Sequence, residues 1–243
     1  MKKIPQMLGV FALTVCFSVL AFASGGEGQV EHAGIISRDI ASVQRGAKWF
    51  VNYCLSCHTA KYMRYNRLSE DLDLSQEMVM QNLVFSQAKI GDTMDIAMRP
   101  KQAEQWLGKT PPDLSLVARS RGVDWLFGYL KSFYQDESGR WNNLYLPNAA
   151  MPHVMWQLQG IQKPVLSKQG DIEVIDHLAL AQAGLQTPEE YEETVRDLVT
   201  FLDYLSEPAK LKRKSLGIWV MLFLVVFAGL TYALKAEYWR DVH

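Results

Sequence analysis

The sequence is poor in cysteine, with three in 243 residues: Cys16, Cys54 and Cys57. That is too few, and the last two too close together, for a disulfide scaffold. It has no surplus of positive charge either. The formal net charge is -1, whereas a nucleic-acid binder would show a basic stripe. No internal repeat or low-complexity tract occurs. No βαβ pattern surrounds the paired cysteines, and no second C-x-x-C or H-x-x-x-H follows them. The first absence argues against a thioredoxin-like redox pair, the second against a zinc site.

Long apolar runs occur only at the two ends. Lys2 and Lys3 precede an apolar stretch from about Met7 to Ala21, which ends in the small-x-small triplet Ala21-Phe22-Ala23. Residues 1–23 read as a signal peptide. The competing reading, an N-terminal anchor, needs about 20 apolar residues and has fewer. The stretch lacks the Arg-rich, amphipathic character of a mitochondrial transit peptide, so a bacterial source is expected. From Ser215 to Leu234 there are 20 residues without a charge, flanked by Trp219, Tyr232, Tyr238 and Trp239. At about 1.5 Å per residue this crosses about 30 Å, the thickness of a bilayer core. Residues 210–243 are therefore expected to be a membrane anchor with a short cytoplasmic tail, and residues 24–209 a periplasmic domain. Lys210, Lys212, Arg213 and Lys214 then lie on the exported side, against the positive-inside rule. Large domains, however, translocate largely regardless of charge.

Between the ends, Cys54-Leu55-Ser56-Cys57-His58 has the C-x-x-C-H spacing. Two thiols so placed can each add to a vinyl group of haem, and the next histidine then sits beneath the iron. One motif implies one covalent haem c. Ile40, Val43, Ala47, Phe50 and Cys54 form one apolar stripe of a helix over 38–54 leading into the motif. Gly46 sits where a second helix can come close. That partner is expected over 188–205, with Thr187 as N-cap, Pro188 in the first turn, and Val195, Leu198, Leu202 and Leu205 as its apolar face. A sixth iron ligand must come from elsewhere. Met151 follows a turn-rich segment and precedes Pro152, which suits a stiff loop holding a thioether. Met155 and His153 are its rivals, and Met78 and Met80 read as packing.

These marks together resemble the cytochrome c1 family, the haem subunit of ubiquinol:cytochrome c oxidoreductase. They are Arg45-Gly46 ahead of the haem motif, Pro111-Pro112-Asp113-Leu114-Ser115 followed by Arg119 and Arg121, Ala150-Met151-Pro152, Glu207-Pro208, the basic cluster and the single C-terminal span. The resemblance implies Cys54, Cys57 and His58 as haem attachment and proximal ligand, with Met151 as the axial methionine. It also implies that Arg121 meets a haem propionate and that Pro111 lies against the proximal side. It implies a cytochrome b subunit and a Rieske iron–sulfur protein as neighbours in the bacterial inner membrane, and a soluble cytochrome c or similar acceptor. The extra cysteine pair of some bacterial members is absent.

The expected fold is all-α: a cytochrome c-like haem domain with insertions in 66–109 and 135–186, plus one C-terminal transmembrane helix. Electron carriage is the leading function. A haem peroxidase or nitrite-reducing subunit would need an open iron position, and so would a gas sensor. Between Ser24 and Ala209 there are 17 Lys+Arg and 24 Asp+Glu, so the domain as a whole is expected to attract a basic acceptor.

Overall fold

The computed structural model describes residues 31–170 and 172–242, so residues 1–23, expected to be a signal peptide and containing Cys16, lie outside the described residues. The elements run α1 (Ile40–Tyr53), β1 (Ala60–Arg64), α2 (Tyr65–Asp71), α3 (Gln76–Leu83), β2 (Thr93–Met94), α4 (Pro100–Leu107), α5 (Val117–Arg121) and α6 (Val123–Lys131). Then come β3 (Phe133–Gln135), β4 (Trp141–Asn143), α7 (Trp156–Gln159), β5 (Gly160–Gln169), β6 (Ile172–Ala183), α8 (Pro188–Ser206) and α9 (Lys210–Tyr238).

Helices α1 and α8 form the centre. Asp39 caps α1 by accepting from the Ser42 N–H at 3.2 Å. Thr187 and Glu190 form a reciprocal capping box at the start of α8, with Pro188 in its first turn. The apolar stripe of α1 is buried as expected: Val43, Ala47 and Phe50 are all fully enclosed. Phe50 meets Phe201 at 5.3 Å between ring centroids. The two backbones touch at Gly46, where an added Cβ would collide with the carbonyl oxygen of Asp197 and lie 2.7 Å from Cβ of Phe201. The same crossing is tied by polar groups. Asp197 accepts from Ser42 Oγ at 2.6 Å and from Arg45 through Nε at 2.6 Å and Nη2 at 2.8 Å. A buried carboxylate with a forked guanidinium and a hydroxyl on it fixes both the rotation and the register of the helix pair.

The all-α expectation needs correcting. Among the described residues there are three two-stranded antiparallel sheets: β1 with β2, β3 with β4, and β5 with β6. The third is a long hairpin inside the 135–186 insertion. Its root is held by the Gln162 amide, which donates to the carbonyls of Lys131 and Phe133 at 2.9 Å each. The register slips between Ile161 and Gln162 and again between Val165 and Leu166. Those two bulges, with Pro164 inside a strand, break the alternation by which strands are read from sequence.

Helix α9 starts at Lys210, and its apolar part, Ser215–Tyr238, has mean hydropathy 2.2 over its most apolar window, none of it buried. That length suffices to cross a bilayer. The basic cluster at its start is paired with carboxylates of the preceding domain. Lys210 reaches Asp203 at 2.8 Å, Lys212 reaches Asp71 at 3.0 Å, and Arg213 reaches Glu207. Asp71 also accepts from Arg67 and from the Tyr204 hydroxyl, at 3.0 and 3.2 Å.

The tight crossing carries a prediction. Gly46→Ala should destabilise the protein by about 2 kcal/mol, because the helices must move apart. That lowers Tm by roughly 4–8 °C for a domain of this size. Gly91→Ala, where nothing lies within 4 Å of the new Cβ, should stay within about 0.5 kcal/mol. Equal melting temperatures for the two variants would contradict the packing argument.

Candidate functional site

The C-x-x-C-H motif begins where α1 ends. The Cys54 N–H closes the last helical turn on the Phe50 carbonyl at 2.9 Å. The Cys57 and His58 N–H groups then both donate to the Cys54 carbonyl, at 3.1 and 2.8 Å. This turn folds the five residues back on themselves. Cys54 is buried, Cys57 half-buried, and neither is in a disulfide. Burial pushes the Cys54 thiol up to about 12, helped by the neighbouring Cys57. A redox-active pair needs the opposite, a thiol lowered toward neutrality. A protonated Cys54 thiol and a second free thiol at Cys57, beside a histidine, suit covalent attachment to a prosthetic group.

His58 is oriented through its far nitrogen. Nδ1–H donates to the Pro112 carbonyl at 2.7 Å. This fixes the tautomer and leaves Nε2 for a metal, the arrangement expected of a metal-ligating histidine. Burial holds the imidazole below its ordinary pKa, although the Pro112 bond and the nearby Asp113 charge oppose the shift. The ring is therefore neutral at pH 7 and able to ligate. Asp113 knits the two loops together. Its Oδ2 accepts from Thr59 Oγ1 at 2.6 Å and from the Lys61 N–H at 2.9 Å, and its Oδ1 accepts from the Ser115 N–H at 2.9 Å. The Leu114 N–H adds a bond to the Thr59 carbonyl at 2.8 Å, and the Tyr62 N–H one to Ser115 Oγ at 3.2 Å. Pro111 is half-buried beside this contact, and the histidine's partner is the carbonyl of the next proline.

A second cluster assembles where the end of α5 meets α6. The Arg121 guanidinium lies 5.0 Å from the Trp125 ring centroid, and Trp125 stacks on Tyr129 at 5.0 Å with 9° between planes. The Tyr129 hydroxyl then donates to Met151 Sδ at 3.5 Å. Trp125 and Tyr129 are four apart and share one face of α6, while Arg121 reaches Trp125 from the end of α5 across Gly122, whose φ is 88°. Burial pushes the Tyr129 phenol up to about 12, so it stays a donor at any physiological pH. The loop carrying Met151 is ordered from beneath by two asparagines. Asn143 is fully buried; its amide donates to the Tyr129 carbonyl at 2.7 Å and its oxygen accepts from the Tyr145 and Leu146 N–H groups at 2.8 and 3.1 Å. Asn142 Oδ1 accepts from the Asn148 N–H at 2.8 Å, and Asn148 takes a left-handed φ of 60°.

The rivals of Met151 are occupied as packing. Met155 is 1% exposed within the core. His153 stacks on Phe133 at 5.0 Å and 2°, with the Trp141 edge at 5.3 Å, and burial lowers its pKa to about 4. Met151 itself is half-buried at the rim of the core. Met78 is exposed, while Met63 and Met94 are buried. His32 pairs with Asp124, and His177 sits on the hairpin beside Asp176. The residues expected from sequence thus fall in two groups, Cys54–Cys57–His58 with the Pro111–Ser115 loop, and Arg121 with Met151. The run from Pro111 to Arg121 joins them.

Pro112, Asp113, Tyr129 and Asn143 were not legible as site residues. Asp113 had a signal: an aspartate after Pro-Pro and two before Ser reads as an Asx turn, which is what its bond to the Ser115 N–H makes. Asn143 and Tyr129 act through long-range contacts that spacing does not reveal.

The model of the Cytochrome C1 family matches residues 31–242. The chain is 45% identical over 248 aligned residues to the cytochrome c1 of Allochromatium vinosum, with all of both proteins covered. It is 47% identical over 226 residues to a protein of Nitrosomonas europaea named ammonia monooxygenase gamma subunit, covering 92% of this chain and 93% of that one. It is 26% identical over 245 residues to the cytochrome c1 of Rhodospirillum rubrum, covering 86% and 85%.

The Asp113 network predicts an acid-side response. Burial would raise this carboxyl, but hydrogen bonds from Ser115, Thr59 and Lys61 outweigh it and hold the group below the usual aspartate value. Its stabilising contribution is therefore fully present above about pH 4 and fades as pH falls through the lower folded value. Asp113→Asn should lower Tm by a few degrees near neutrality. The gap between wild type and variant should narrow below about pH 4. A gap of unchanged size at pH 3 would contradict the assignment.

Proposed function

The chain belongs to the cytochrome c1 family, and on that premise we propose that it carries single electrons in a bacterial bc1 complex through one covalently bound haem c. Cys54 and Cys57 would hold the group by thioether bonds, His58 through Nε2 on the proximal side, and Met151 through its thioether on the other. Arg121 would meet a propionate, and Pro111 would flank the proximal face. Iron held between histidine and methionine changes oxidation state by one electron, and the methionine raises its potential.

The observation that carries this reading is the His58–Pro112 bond, which commits one ring nitrogen to the backbone and spares the other. The residues around it have separate tasks. Asp113 holds the proximal loop, Asn143 and Asn142 hold the methionine loop, and Tyr129 restrains the sulfur. A rigid site favours electron transfer, because neither ligand has to move when the charge changes.

By family, the donor is a Rieske iron–sulfur protein, the acceptor a soluble cytochrome c or similar carrier, and the membrane neighbour a cytochrome b subunit. The haem domain lies in the periplasm with α9 in the inner membrane, and the isolated chain catalyses no reaction of its own. The Nitrosomonas relative's name assigns that protein to an oxygenase. An oxygen-activating, peroxidase or nitrite-reducing role would need an open iron position, and the ordered Met151 loop with its tyrosine restraint supports a filled one.

Two variants test the ligand assignment in full-length protein matured with a haem-ligation system. The wild type should keep its haem through a denaturing gel. Met151→Leu should lower the reduction potential by on the order of 0.1 V. Met155→Leu, a near-isosteric core change, should cost under about 1.5 kcal/mol of stability and leave the potential in place. The reverse pattern would transfer the ligand role to Met155.

A further inference from the structure

Met151 is not held by its loop alone. The Tyr129 hydroxyl donates to its sulfur at 3.5 Å, and among the described residues this is the hydrogen bond that Sδ receives. The phenol is buried and has little freedom to leave. Trp125 stacks on its ring at 5.0 Å, and the Phe133 ring meets it at 5.0 Å with 68° between planes. The backbone of the same residue is tied to the methionine loop, because the Asn143 amide donates to the Tyr129 carbonyl at 2.7 Å. Asn143 in turn collects the Tyr145 and Leu146 N–H groups. One residue therefore carries both the donor on the sulfur and the acceptor for the asparagine that orders the loop.

A second buried tyrosine lies beside a methionine sulfur, and the contrast shows what is particular to the first. The Tyr204 hydroxyl comes to 4.0 Å from Met63 Sδ, but it is committed to the Asp71 carboxylate at 3.2 Å. Met63 is enclosed in the core, whereas Met151 sits half-buried at its rim. The Tyr129 hydroxyl has no competing acceptor among the described residues, so its proton goes to the sulfur.

A thioether sulfur is a weak acceptor with two lone pairs. Ligation of a metal uses one and leaves the other open to a hydroxyl, so the bond and the ligand role are compatible. A donor on the sulfur draws electron density from it. Oxidised iron depends on that density more than reduced iron does, so the bond favours the reduced state. Hydrogen bonds to ligands are among the levers by which a protein sets a haem potential. Resting on the Met151 ligand reading above, we propose that Tyr129 is a positioning residue for electron transfer that acts through Met151: its hydroxyl weakens the sulfur as a donor and raises the reduction potential above what histidine and methionine alone would give. The packing of its ring then does more than fill space. A phenol free to swing away from the sulfur would leave the potential without this control.

The test uses full-length, haem-loaded protein in detergent, equilibrated with a reference redox dye of fixed potential. Tyr129→Phe keeps the ring, its stack on Trp125 and its edge contact with Phe133, and removes the donor. The equilibrium constant for sharing an electron with the dye should move roughly threefold toward oxidised protein, a fall of about 30 mV at about 59 mV per tenfold for one electron. The oxidised variant should keep the sulfur-to-iron charge-transfer band in its absorption spectrum, and the reduced variant should stay inert to carbon monoxide. Tyr204→Phe, which loses a buried hydroxyl beside Met63 and Asp71, should lower Tm yet leave the equilibrium with the dye in place. An unchanged or raised potential in Tyr129→Phe, with the band present, overturns the proposal. An equal fall in both variants also overturns it, because lost stability would then be the cause. So does loss of the band in Tyr129→Phe, since the hydroxyl would then secure ligation and not tune it. Absence of the band from the wild type would instead sink the Met151 assignment, so the two failures are distinguishable.

Discussion

His58 gives one ring nitrogen to the Pro112 carbonyl at 2.7 Å, and the rest of the site is arranged so that this bond cannot drift. The histidine is anchored from behind by the turn on the Cys54 carbonyl. The proline loop is anchored from the front by Asp113, whose two oxygens bind both strands of the contact. The turn itself hangs from α1, and α1 is locked onto α8 by Gly46 and by the Asp197–Arg45–Ser42 cluster. Constraint thus passes from a helix crossing through a helix end to a single imidazole. A ligand held this way pays its ordering entropy at folding, before any metal is bound.

How much of this is legible in sequence depends on how local the cause is. The C-x-x-C-H turn, the α1 stripe, the Thr187 cap and the need for a small residue at position 46 are all set by neighbours within a few residues, and each reads directly. The uncharged C-terminal run reads as readily, because bilayer thickness dictates its length. The β5–β6 hairpin does not, because its bulges and Pro164 erase the two-residue period. Pro112, Tyr129 and Asn143 were missed for a different reason. Their roles lie in bonds spanning 54, 22 and 14 residues, which no short pattern encodes.

The basic cluster at residues 210–214 looked out of place on the exported side of the membrane. Its pairing with Asp71, Asp203 and Glu207 gives it a local function. These cations join the anchor helix to the haem domain, and their charge is largely offset by the domain's own carboxylates. The acidic surplus of the domain is therefore partly internal, spent on its anchor and on helix termini.

An iron held by both His58 and Met151, as proposed, would have no free position for a small ligand. The most direct measurement is the absorption spectrum of the reduced, full-length holoprotein before and after carbon monoxide is added. A filled coordination sphere predicts an unchanged spectrum over minutes at neutral pH. Rapid formation of a carbon monoxide adduct by the wild type would contradict it, and would turn the assignment toward an open-iron enzyme or a gas sensor.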